Sequence, residues 1–170
     1  MISIIAFLSS VVLASLNSAR EKAQATEYRQ SVQQFIIALE LYKNTNDQYP
    51  GEEIAKAYPS GYKFQYFSDN TSSSYTVEPT NATFNLSTAL APYIKTLPKP
   101  YKSGISFEYR QAGPVGGPTT IYRCAGDTSI PPFVILTSST LGFEDWRTME
   151  YGMGGPPFTS SPNTKCYSSK

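Results

Sequence analysis

The residues that could do chemistry in this chain are few. Cys124 and Cys166 are its only cysteines, and it contains no histidine. Without imidazole there is no Ser-His-Asp or Cys-His nucleophile pair and no His-bearing zinc site. The 13 Asp and Glu remain as candidate acids and bases. Paired carboxylates can cleave glycosides without histidine, but these acids are scattered over loops and helix faces with no convergent spacing. Glu144 and Asp145 are the only adjacent acidic pair in the tail, too few for a hard-cation cage of six or more oxygens. The 14 Lys and Arg are equally dispersed and leave a net charge of +1, so no nucleic-acid footprint is evident. The reading is of a non-enzyme without a catalytic, cofactor-binding or metal site. The two cysteines have two readings: a disulfide if the protein is exported, two free thiols in the cytosol. A bridge across that loop is worth about 4 kcal/mol in the chain-entropy view.

The element that positions everything else is the first 49 residues. They hold no Gly and no Pro, whereas all 11 Gly and 13 Pro follow. This predicts one uninterrupted helix of roughly 70 Å. Its two halves differ. Met1 to Ala19 is uncharged, and Met1 to Leu16 is apolar around nearly its whole circumference. Ile2, Ile4, Ile5, Phe7, Leu8, Val11, Val12, Leu13 and Leu16 are interspersed there with small Ser and Ala. A helix hydrophobic all round belongs in a membrane or inside a larger assembly, small residues permit close helix approach, and the stretch is just long enough for a bilayer core. From Arg20 the helix turns amphipathic. Tyr28, Val32, Phe35, Leu39 and Tyr42 recur at 4-3-4-3 spacing, widened by Ala25 and Ile36, as a seam that packs on the chain's own sheet. Asn44 to Gln48 supplies turn residues, and Tyr49-Pro50-Gly51 stops the helix.

The remainder reads as β-rich. Glu52 to Ala57 is a short helical turn, Tyr62 to Phe67 and Tyr75 to Glu78 are strand-like runs, and Leu86 to Leu97 is a short helix interrupted by Pro92. Ile105 to Arg110, Thr119 to Ala125 and Phe133 to Thr137 predict a three-stranded antiparallel meander, with Gly113 to Pro118 as one connection. Residues 139–170 read as irregular, anchored by Trp146, Tyr151 and Phe158. The expected fold is α+β: a long N-terminal α-helix on a small antiparallel sheet of about three to four strands, with an irregular, disulfide-closed tail. Residues 1–24 form the membrane or filament-core half of the helix and 25–170 the globular domain. Within the latter, 25–49 is the amphipathic half, 50–104 a connecting loop region, 105–138 the sheet and 139–170 a C-terminal loop.

The run from Ile2 to Arg20 resembles the N-terminal helix of bacterial type IV pilins and pseudopilins. The likeness continues through Ala38 to Lys43, and Asp47 to Pro50 is similar to the helix-ending Tyr-Pro segment of the major-pseudopilin branch, as is Pro92 to Pro98 to a later segment. Family precursors carry a basic leader ending in Gly, then Phe or Met, and a glutamate four residues on. Here the first acidic residue is Glu21, and the apolar pattern places Met1 several residues inside the family's mature helix, so the N-terminus is expected to be incomplete. The resemblance implies a structural subunit of a type IV pilus-like helical filament serving adhesion, motility or uptake. Its partners would be copies of itself, the inner membrane before assembly, and by resemblance the pilus assembly machinery and prepilin peptidase. It would end on the cell surface. A pseudopilin of a type II-like secretion system and a helix-anchored surface binding module are the alternatives.

Overall fold

The computed structural model describes residues 2–52, 63–68, 74–77, 82–102, 105–111, 120–129, 131–153 and 159–168 of the 170. α1 (Ile2–Asn46) is one helix of 45 residues, about 67 Å long. It stops three residues before the expected end. Asp47 takes a left-handed conformation (φ 58°), which an Asp tolerates better than most side chains. Near its end the carbonyls of Leu41 and Tyr42 also accept hydrogen bonds from the Thr45 and Asn46 side chains, the i−4 back-bonding that competes with the helical ladder. Glu52 then accepts the Tyr49 backbone N–H at 2.9 Å, folding the chain back beside the helix.

Eight strands follow among the described residues: β1 (Lys63–Ser68), β2 (Ser74–Val77), β3 (Ala82–Asn85), β4 (Ser106–Gln111), β5 (Thr120–Cys124), β6 (Phe133–Thr137), β7 (Arg147–Met153) and β8 (Thr159–Ser168). β2 and β3 form a small separate sheet. The main sheet is antiparallel throughout, in the order β1-β4-β6-β8-β7-β5. Five strands, β4 to β8, make its body, and β1 extends it along β4. The expectation of three to four strands in a meander is therefore corrected twice. β4 pairs directly with β6, and β5 lies at the far edge beside β7. The residues 139–170 that read as loop supply two strands. β7 and β8 pair with a register shift at Thr148/Met149, and Pro162, which cannot donate to a ladder, sits opposite that irregularity. The helix expected to Leu97 is α2 (Leu86–Leu90), five residues long, because Pro92 cannot continue it. The turn expected over Glu52 to Ala57 lies outside the described residues after Glu52, as do the Gly113 to Pro118 connection and Phe158.

α1 covers one face of the sheet. Ala25, Tyr28, Val32, Phe35, Ala38 and Leu39 are buried on the helix, against Phe107 and Tyr109 of β4 and Phe133 and Ile135 of β6. Alternation along the strands sends the other set to the opposite face, where Val134 and Leu136 pack with Cys124, Cys166 and Met149. β6 is buried at all five positions, which is why it reads as a continuous apolar run. Rings dominate the helix-side core: Phe35 meets Phe107 edge-on at 5.5 Å, and Tyr28 meets Phe143 at 5.5 Å, the tilted geometry aromatic quadrupoles prefer.

Candidate assembly surface on the long helix

Burial along α1 changes at one point. Every residue from Leu8 to Gln24 is exposed, and the first buried one is Ala25. Leu8, Val11, Val12, Leu13 and Leu16 are each between 53% and 63% exposed. These five of the expected filament-core residues touch no other element of the chain among the described residues; Ile2, Ile4, Ile5 and Phe7 lie on the same helix, with side chains outside the description. The expected packing residues are placed differently. Tyr28, Val32, Phe35 and Leu39 are core, while Ile36 and Tyr42 are partly buried at its margin. Ala38, also core, was hidden from the sequence by its small size.

The helix leaves the domain through a built exit. The loop between β6 and β7 lies against Ala25 to Arg29. Arg29 donates to the Gly142 carbonyl at 2.8 Å and to Asp145 Oδ2 at 2.7 Å. Gly142 has φ 82°, and a Cβ there would stand 3.2 Å from the Ala25 carbonyl oxygen. Phe143 and Trp146 fill the space beneath, their rings 4.7 Å apart. On the other side Lys102 pairs with Glu21 at 3.2 Å; both are well exposed, so this pair contributes little. Glu144 is held below the ordinary carboxylate range, first by the Gly142 backbone N–H that it accepts and then by its own N–H. The acidic pair of the tail thus serves the loop, Glu144 shaping it and Asp145 docking it.

The second set of polar contacts surrounds the disulfide. Cys124 and Cys166 are bridged, joining β5 to β8, the two strands that flank β7. Asp127 accepts the Cys124 backbone N–H and pairs with Arg147, whose guanidinium also reaches the Ala125 carbonyl and Ser168. Arg123 pairs with Glu150 across β5 and β7 at 2.9 Å. Each acid here has a guanidinium partner. Among the described residues no group of three or more His, Cys, Asp or Glu could hold a metal ion.

Deep in the core, burial raises the Tyr28 phenol well above the ordinary tyrosine range, opposed by the hydrogen bond it shares with Thr137. Tyr49 is raised in the same direction by burial and by donating to Glu40. Neither phenol is poised for proton transfer near neutrality; both are structural.

No protein-family model, curated protein or solved structure matches this chain. Among the described residues no helix is long and apolar enough to cross a membrane. The chemistry of the surface is therefore read from the geometry. Its described side chains, from Leu8 to Ala19, are exposed and carry no charge, with five aliphatic residues among them. Two residues that the 4-3-4-3 seam passes over belong to the same exposed class: Ile37 and Leu41 are 59% and 45% exposed. Their spacing of four positions was the available signal, half a turn away from the seam.

Proposed function

We propose that this chain is a structural subunit of a helical filament of the type IV pilus kind, assembled through the projecting half of α1. One observation carries the reading: aliphatic side chains from Leu8 to Leu16 stand in solvent on a helix continuous with the buried spine of the domain. Full burial of a Leu or Val side chain is worth about 1.5–3 kcal/mol, and nothing described in the chain provides it. Neighbouring copies of the same helix do. Because the projecting half and the surfaces that receive it are different patches, the contact does not close on itself and generates an open polymer. The domain half, with its disulfide-closed sheet, forms the outer shell. The membrane stage before assembly rests on the uncharged Met1 to Ala19 sequence alone.

The test is electron microscopy and sedimentation of the full chain beside Val11→Asp and Leu13→Asp variants. Both positions are exposed, so the thermal melt of the domain stays within about 0.5 kcal/mol of wild type, while filaments disappear. Wild-type protein that stays monomeric after detergent removal would instead indicate a helix-anchored binding module. Filaments at normal yield from the Asp variants would overturn the helix-mediated reading.

A further inference from the structure

Between its apolar end and the buried seam, α1 has a short neck. Residues 17–24 are exposed at every position, and burial starts at Ala25, where the β6–β7 loop closes on the helix. Among the described residues one ion pair crosses the neck, Lys102 to Glu21 at 3.2 Å, between two well-exposed side chains. The helix is weakly held from within as well. Asn17 and Ser18 are poor helix formers. The Thr26 hydroxyl donates to the Lys22 carbonyl at 2.9 Å and competes there with the backbone ladder. Unwinding from Leu8 through Gln24 removes no buried side chain from the domain, so in a free subunit little beyond the helix's own hydrogen bonds resists it. The neck also carries the first basic side chains of the sequence, Arg20 and Lys22.

We infer that the neck is a proteolytic release site, cut between Lys22 and Ala23 in the unassembled subunit and protected in the assembled one, the protection resting on the filament reading above. The enzyme class is a serine endopeptidase whose acidic specificity pocket takes a Lys or Arg side chain. The step is hydrolysis. Water adds across the Lys22–Ala23 amide and leaves a carboxylate on Lys22 and an ammonium on Ala23. Small, uncharged Ala23 follows Lys22, whereas Arg20 is followed by Glu21, whose charge an acidic pocket repels. Most other described basic residues are poorer targets. Arg29, Lys43, Arg123, Arg147 and Lys165 each donate to a partner within the domain. Lys95 is exposed, but its segment is pinned by the Tyr93 and Ile94 N–H groups on the Leu90 carbonyl and by the Tyr93 ring on Tyr42. A protease acts on the opened chain, and opening the neck leaves the core intact. The cut removes the apolar half of α1 and frees a domain that keeps its core from Ala25 onward and its Cys124–Cys166 bridge. Neighbours packed around the apolar half make unwinding costlier, so assembly itself shields the bond.

Trypsin is the probe. The full-length chain is digested as dilute monomer and as sedimented filament, and intact mass identifies the products. In the monomer the first product should run from Ala23 to Lys170 as one disulfide-closed piece, appearing at least about tenfold faster than from filaments. Lys22→Gln combined with Arg20→Gln should remove that product and leave the melting curve unchanged, because both side chains are exposed; Lys22→Arg should retain it. A first cut elsewhere in the monomer would overturn the inference, as would a released piece that lacks the full chain's melting transition. Equal rates from monomer and filament would overturn the protection by assembly and leave the filament reading standing. A wild-type chain that forms no filaments would overturn the filament reading, while the monomer digest still decides the release site.

Discussion

Gly142 and Gly126 both sit at positive φ, 82° and 87°, yet they are under different constraints. A Cβ on Gly126 meets nothing within 4 Å, whereas one on Gly142 crowds the Ala25 carbonyl. Gly126→Ala should therefore cost only the left-handed penalty of about 1 kcal/mol. Gly142→Ala should cost more, about 2 kcal/mol or above, because the loop must also move off the helix; paired denaturant melts measure the difference. Tyr28 gives a pH signature. An unfolded chain ionises its tyrosines near pH 10, while burial keeps Tyr28 neutral to higher pH in the folded state. That stability is fully present below pH 10 and is lost as pH rises beyond it. Tyr28→Phe should flatten the alkaline limb of the stability curve at a cost of about 0.5–1.5 kcal/mol near neutrality. The cost stays small because Thr137 still accepts the Ser139 N–H. At this scale the seam was legible, since large side chains at 4-3-4-3 spacing have one face to bury. Arg29, Gly142 and Asp145 were not, because their partnership spans more than 100 positions and depends on a loop conformation with no periodic signal.

α1 and β6 were the most legible elements, and for opposite reasons. The helix announces itself by what it lacks, Gly and Pro, and β6 by being apolar at consecutive positions, as a strand buried on both faces must be. The hairpin of β7 and β8 was missed because Ser, Thr, Asn, Gly and Pro dominate it. Its strands form through cross-strand partners and the Cys124–Cys166 link, a tertiary context that overrides weak local propensity. Strand order was missed for a related reason: β4, β5 and β6 follow one another in sequence, but β8 enters between β6 and β7 and displaces β5 to the edge. Tyr151, expected as an anchor, is 37% exposed, since its strand turns that side chain away from the core that holds Trp146. Replacing both Cys124 and Cys166 with Ala should cost about 2–5 kcal/mol. Limited proteolysis should then cut first within residues 147–168, while α1 and β4 keep their hydrogen-exchange protection.

The whole molecule is a rod with a domain clasped to one half of it. The assembly proposed above, driven by the uncharged half, should respond to solvent as apolar burial does. Raising salt from about 0.05 M to about 0.5 M shortens the screening length severalfold but should leave filament yield nearly unchanged, whereas sulfate should raise it; sedimentation across a salt series measures both. In the sequence the change from all-round to one-sided hydrophobicity falls at Arg20, and in the structure burial on the helix begins at Ala25. The six-stranded extent of the sheet was not legible, because two of its strands, β7 and β8, come from a polar segment. The continuity of α1 through its exit also has a mechanical meaning. A pull along the projecting half runs parallel to the buried seam, so Tyr28, Val32, Phe35 and Leu39 are loaded together in shear, not opened one after another. The disulfide-closed sheet lies on the far side of that seam as the anchor. A domain built this way meets axial tension with its whole helix-side core at once.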